Sequence, residues 1–180
     1  PEVSGFSITQ GAAEKGGGIY IEHANPNLSW MSVVRNRASQ EGGGIYISHS
    51  ASTTLSNILI AENIAAADAG GYNGGGIFIN ASDVGMDHVT IASNFSTQNG
   101  SGLYFANGSL PTITNSLIWG NNTDYDGSVV QEAYAGGNTN AITFTNSILE
   151  DYGNDSYWEN MSMLEYEFQQ VSIPDICYTV

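Results

Sequence analysis

Gly16-Gly17-Gly18-Ile19-Tyr20-Ile21 returns as Gly42-Gly43-Gly44-Ile45-Tyr46-Ile47 and as Gly74-Gly75-Gly76-Ile77-Phe78-Ile79, with a looser copy at Gly100-Ser101-Gly102-Leu103-Tyr104-Phe105. The copies start 26, 32 and 26 residues apart, a period that marks a repeat architecture with one structural layer per copy. A second segment recurs within each layer: Leu28 to Asn36, Leu55 to Asn63, Met86 to Asn94 and Ile113 to Asn121, with a weaker copy from Phe144. Both segments are short, rich in β-branched residues and bounded by Gly, Asn and Ser, so they read as strands joined by turns.

Alternation assigns the faces. Placing Ile19 and Ile21 inward leaves one aromatic outside, whereas the reverse exposes two aliphatic columns to water. The inward columns are then Ile19, Ile45, Ile77, Leu103 and Ile21, Ile47, Ile79, Phe105. Each side chain contributes about 1.5–3 kcal/mol if fully buried. The outward column is Tyr20, Tyr46, Phe78, Tyr104. In the second segment Met31 and Val33, Ile58 and Ile60, Val89 and Ile91, Ser116 and Ile118 point inward. Trp30, Leu59, His88, Leu117 and Trp119 belong to the outward set. Asn36, Asn63, Asn94 and Asn121 end the second strand at equivalent positions and are expected to form an asparagine ladder.

With these repeats in hand, the chain resembles the right-handed parallel β-helix proteins of the pectin-lyase-like superfamily over about residues 3–150. The resemblance implies an all-β fold, a right-handed parallel β-helix (solenoid) of about five to six coils with a C-terminal capping segment. Coils occupy residues 1–155, and residues 156–180 form the cap and tail of the same domain. Within that last part Tyr157, Met161, Leu164 and Phe168 fit a helical face, while Leu164, Tyr166 and Phe168 also alternate as a strand does. Residues 3–13 align with the second segment of a preceding layer, Ile8 matching Val34 and Gln10 matching Asn36, so the stack opens on an uncapped coil.

The spacing also locates insertions. A loop from Ile64 to Asn73 lengthens the second interval, from Gly42 to Gly74. In the fifth layer Ser128 to Glu132 takes the place of the glycine strand, and Ala133 to Asn140 reads as a second insertion. Insertions on a repeat scaffold lie on its surface and often carry function.

The formal net charge is −15, with 18 acidic residues against Lys15, Arg35 and Arg37. Three cations cannot make a phosphate-binding patch, so nucleic acid is excluded as a partner. Repulsion disfavours anionic polysaccharides unless a divalent ion bridges them, and a neutral glycan meets no such barrier. One cysteine, Cys177, allows no internal disulfide and reads as a structural thiol. No apolar run reaches the length of a membrane span. The chain opens inside a repeat with no signal peptide, so it is expected to be part of a longer secreted or cell-surface protein with other domains.

Exposed aromatic side chains match the apolar face of a pyranose. The candidate carbohydrate-binding residues are Trp119, Tyr104, Tyr125 and Tyr134, then Trp30 and Tyr72. The outward aromatic column has the coil spacing of about 4.8 Å, close in scale to a sugar repeat, and its alternative use is self-stacking within the solenoid. Asn122, Asp124 and Asp126 resemble the opening of a calcium loop, which makes Ca²⁺ the one cofactor with a cradle in the sequence. The match is incomplete, because Ala133 stands where the loop needs a bidentate Glu.

The superfamily's lyases resemble one another in using Arg or Lys beside a calcium-bound uronate, and here the three cations lie far from the Asp124 turn in coil order. Its glycosidases resemble one another in using clustered carboxylates. Asp83 with Asp87, Asp124 with Asp126 and Glu150 with Asp151 do not align on one strand face across adjacent coils. His23, His49 and His88 lie apart with no metal-ligand spacing in sequence, and no Ser/His/Asp set is legible. The expected function is therefore non-catalytic binding of a neutral plant polysaccharide, of xylan or β-glucan type, with no cofactor required. The alternatives are a fragment of a polysaccharide-degrading enzyme and a surface adhesin or spacer.

Overall fold

The computed structural model describes residues 1–66, 72–122, 133–136, 141–149 and 162–167. Among these, every regular element is a strand and every strand pairing is parallel. The chain winds into a β-solenoid of about five turns. Among the described residues no helix is long and apolar enough to cross a membrane.

Three stacks make up the coil. The glycine-triplet strands Ile19–Glu22, Ile45–Ser48, Ile77–Asn80, Leu103–Ala106 and Ala133–Gly136 form one five-stranded sheet. The second segment forms the ten-stranded sheet through Asn27–Val34, Thr53–Ala61 and Val84–Ala92. Two-residue strands, Ala12–Ala13, Arg37–Ala38, Ile64–Ala65 and Phe95–Ser96, form the third. Ile19, Ile45, Ile77 and Leu103 share one register, as do Ile21, Ile47, Ile79 and Phe105. Both columns enter the shared core, together with Met31, Val33, Ile58, Ile60, Val89, Ile91 and Ile118. The inward assignment by alternation therefore holds at these positions.

Strict alternation fails at one place, and the failure shapes the coil. Leu28, Leu55, Met86 and Ile113 are also buried, three residues before the next inward position. The backbone between them takes a left-handed turn at Trp30 (φ 54°), Asn57 (53°), His88 (54°), Asn115 (50°) and Asn146 (50°), with Gly5 (77°) in the first coil. Each of these residues bends the long strand into two sides, and the register passes over it from Ser29↔Ser56 to Met31↔Ile58.

The glycine triplet is a packing device. Gly42 holds φ 67°, a conformation that L side chains avoid. A Cβ on Gly44 would lie 2.7 Å from the Gly76 carbonyl oxygen and 2.8 Å from Asn63 Nδ2. The ladder asparagines fill that space: Asn36, Asn63, Asn94 and Asn121 are buried. Asn36 Nδ2 donates to Asn63 Oδ1 (3.1 Å), Asn63 Nδ2 to Asn94 Oδ1 (3.0 Å) and Asn94 Nδ2 to Asn121 Oδ1 (2.9 Å). A serine ladder runs beside another corner, with Ser50 N donating to Ser82 Oγ (3.0 Å) and Ser82 N to Ser109 Oγ (3.2 Å).

Two sequence expectations are corrected, and one that the sequence left open is resolved. Ile8 pairs with Val33 rather than matching Val34, so Gly11, not Gln10, occupies the rung before Asn36, and its N–H donates to Asn36 Oδ1 at 2.9 Å. Ala133–Gly136 is not an insertion but the fifth strand of the glycine-triplet sheet, with Tyr134 in register with Tyr104. The ambiguous C-terminal stretch contains a strand, Ser162–Glu167, pairing in parallel with Ala141–Thr145. It extends the stack, and the remainder of the expected cap lies outside the described residues.

Candidate functional site

The outward side of the ten-stranded sheet carries two neighbouring columns. Ser32, Leu59, Thr90, Leu117 and Ile148 follow one another in register, as do Val34, Ala61, Ala92 and Trp119. Leu59, Leu117 and Ile148 are exposed, and Trp119 is partly exposed. Trp30 stands at the left-handed corner that borders this face and is 70 % exposed. Trp119 lies in the Val34 column three coils on. Strand spacing and rise place the two indoles roughly 14 Å apart along the axis and 13 Å apart along the strands, about 19 Å on the diagonal. Between them runs a mixed surface, with Leu59 and Leu117 in the centre and Asn57, His88 and Asn115 along the Trp30 edge.

Trp30 is the anomaly on this edge. Equivalent corners in the other coils are held by Gly, Asn or His, and a left-handed backbone costs most L-residues roughly 1–2 kcal/mol. The indole recovers little by packing, since it is largely in solvent. A strained, exposed aromatic that the scaffold does not need points toward a role outside the scaffold.

The other sequence-derived aromatics are elsewhere. Tyr20, Tyr46, Phe78, Tyr104 and Tyr134 stack ring on ring along the glycine-triplet sheet, with centroids 4.9–5.5 Å apart and planes within 17°. Tyr46 and Phe78 are each only 6 % exposed. The column is thus a self-stacked seam and its middle offers no platform to a sugar. Tyr20, at its end, stays 50 % exposed. Burial, and then the neighbouring Tyr134 phenol, push the Tyr104 hydroxyl above its ordinary range. Tyr72 lies against Thr97 and Gln98: its N–H donates to Thr97 Oγ1 at 3.1 Å and its carbonyl accepts from Gln98 N. The structure therefore brings Trp30 and Trp119 to one face and Tyr104 and Tyr134 to another, with Tyr72 on neither. Tyr125, Asp124 and Asp126 lie outside the described residues. Asn122 donates from Nδ2 to the Gly120 carbonyl at 3.3 Å, and its own carbonyl accepts from Ser96 and Ser101.

The three cations that a lyase mechanism would have to draw on all have structural partners. Lys15 pairs with Glu41 at 2.8 Å, Arg35 with Glu62 at 2.6 Å, and Arg37 Nη2 donates to the Ala66 carbonyl at 2.9 Å. Asp87 is equally engaged. Its Oδ1 accepts from Asn115 Nδ2 (2.7 Å) and Thr114 Oγ1 (2.8 Å), and its Oδ2 meets His88 Nδ1 at 2.8 Å. The Asn115 and Thr114 bonds, then His88, hold its carboxyl down to about 2. Because the folded state prefers the ionised form, the contribution is present above the unfolded carboxyl's ordinary pKa near 4. It is lost as pH falls through about 2. Urea midpoints taken between pH 5 and pH 2 should fall less steeply for Asp87→Asn than for the wild type; equal slopes would mean the network is not formed.

The histidines show what reading along the chain missed. His23 and His49 are not apart: their rings stack with centroids 4.8 Å apart, and Glu22 joins them with all three donor atoms within 4.8 Å of one another. The signal was available in the repeat itself, since each histidine follows its Gly-Gly-Gly-Ile-Tyr-Ile at the same offset. The next coils place Ala81 and Asn107 at this corner. There an open groove of about 400 Å³ is lined by His49, Ser82, Asp83 and Asn107 among others. Compared with known proteins, the chain matches no family model, no curated protein and no solved structure.

Proposed function

We propose that this protein is a non-catalytic carbohydrate-binding module that recognises a neutral polysaccharide, of xylan or β-glucan type, across the sheet face between Trp30 and Trp119. The observation that carries this reading is Trp30 itself, an exposed indole kept at a corner where its backbone is disfavoured. An indole stacks on the apolar face of a pyranose. Asn57, His88 and Asn115 on the same edge offer hydrogen-bonding groups to ring hydroxyls, in the usual division between apolar lining and a few polar contacts. The repeat pattern, similar to that of the pectin-lyase-like superfamily, agrees with a setting among secreted polysaccharide-active proteins. The chain's net charge of −15 selects for neutral over acidic glycans.

Affinity electrophoresis through xylan, β-glucan and an acidic polysaccharide tests it. Retardation is expected in a neutral gel, without release of oligosaccharides. Trp30→Asn should weaken it tenfold or more, while raising stability to unfolding by about 1 kcal/mol, because asparagine tolerates the left-handed corner. Trp119→Ala should also weaken it. Released oligosaccharides would point to an enzyme, and no retardation in any gel would point to a spacer. Retardation unchanged in both tryptophan variants would remove this face from the site.

A further inference from the structure

The geometry points to a divalent transition-metal site, for zinc or copper(II), formed by Glu22, His23 and His49 at the corner after the glycine-triplet strands. It is independent of the glycan-binding reading, being on a different corner and using none of the same residues.

Three features of the corner argue for an ion. First, the solenoid stacks identical offsets: His23 and His49 occupy the same corner of adjacent coils, with φ 51° and 53° and rings 4.8 Å apart. Glu22 flanks them, and all three residues are exposed. With metal–nitrogen bonds of about 2.0–2.1 Å, tetrahedral donors sit about 3.3 Å apart and opposed donors about 4.1 Å. Donor atoms already within 4.8 Å need close by no more than about 1.5 Å, a movement that exposed side chains can make by small rotations.

Second, both kinds of donor already have the outer partners that metal ligands use. Ser48 Oγ lies 2.6 Å from His49 Nδ1, and with Nδ1–H donated to it the lone pair is on Nε2, free for an ion. The Tyr20 hydroxyl donates to Glu22 Oε2 at 2.9 Å, which fixes the carboxylate and leaves Oε1. Two imidazoles and one carboxylate are the donor set of borderline ions such as zinc; calcium and magnesium take oxygen sets. Third, the chain's net charge of −15 raises the local concentration of any dication. Three protein ligands leave at least one coordination position open, as in sites where a metal meets an exogenous ligand. The adjoining groove lined by His49, Asp83 and Asn107 gives such a ligand room.

The test is calorimetric titration of zinc chloride, and separately copper(II) sulfate, into the intact chain free of any polyhistidine tag. One equivalent is expected, not displaced by excess calcium. His23→Asn and His49→Asn should each weaken it by at least about 100-fold, and Ser48→Ala, which removes only an outer partner, by about tenfold. Asparagine suits these corners because Asn107 holds the same one two coils on from His49 at φ 52°, so the variants should melt as the wild type does. His88→Asn should bind as tightly as the wild type. No heat of binding, a tight equivalent that survives both His23→Asn and His49→Asn, or its loss in His88→Asn would overturn the site.

Discussion

Asn63→Leu is expected to lower stability by about 3–5 kcal/mol, read as a drop in the urea midpoint. Leucine keeps the branching of asparagine but puts two bulkier methyl groups in place of the amide, so lost hydrogen bonding and some overpacking both contribute. Asn63 Oδ1 accepts from Asn36 N (3.0 Å) and Asn36 Nδ2 (3.1 Å), and Asn63 Nδ2 donates to Asn94 Oδ1 (3.0 Å) and the Val33 carbonyl (2.8 Å). Leucine strands two buried donors on Asn36, at about 1–3 kcal/mol for each group left unsatisfied. Because coils contact only their neighbours, the damage falls in the middle of the stack, where it uncouples both halves. A loss under about 1 kcal/mol would mean that the ladder amides are not engaged as described.

Gly44→Ala should destabilise by about 3 kcal/mol, the upper range for overpacking. Its Cβ would be 2.7 Å from the Gly76 oxygen and 3.0 Å from Asn63 Cγ, so the coils must spread. That carbonyl is the acceptor for Ile45 N at 2.9 Å, which ties the clash to the inter-coil ladder. Gly85→Ala is the control, because nothing lies nearer its new methyl than Thr54 Cγ2 at 3.8 Å. It should be neutral or stabilising by roughly 0.5 kcal/mol through reduced freedom of the unfolded chain. Equal melting losses for the two variants would show that the glycine triplet serves no packing role.

The parts of the fold legible in sequence were those that repeat with an unbroken period. Ile45, Ile77 and Leu103 follow their glycines at one offset, and Asn63, Asn94 and Asn121 end their strands at another, so stacking follows from superposing the copies. Period-two alternation could not see the bend at Trp30, because a left-handed residue consumes one position without crossing the sheet. Leu28 and Met31 therefore face the same interior three residues apart. The fifth glycine-sheet strand escaped because Ala133 to Gly136 carries no leading triplet; only Tyr134 in the aromatic slot marks it.

The site was less legible for the same reason in reverse. Trp30 and Trp119 could be assigned outward, but their shared face needs the register that links Trp119 through Ala92 and Ala61 to Val34. Tyr104 was assigned outward correctly, yet outward did not mean open, since rings at coil spacing bury one another. His23 and His49 are separated by one full turn in sequence and stack in space. Ligand spacings learned from helices and hairpins do not find such a pair, whereas comparison at equal repeat offset does.

The solenoid requires coils piled in register with Ser32, Leu59, Thr90 and Leu117 in one outward column. Spin labels at Ser32→Cys and Leu117→Cys, in a Cys177→Ser background, measure this most directly by dipolar broadening. Three coil steps predict a backbone separation of about 14 Å, with Leu59→Cys and Leu117→Cys closer at about 10 Å. Separations beyond roughly 25 Å, or the same value for both pairs, would contradict a stack built at the parallel strand spacing.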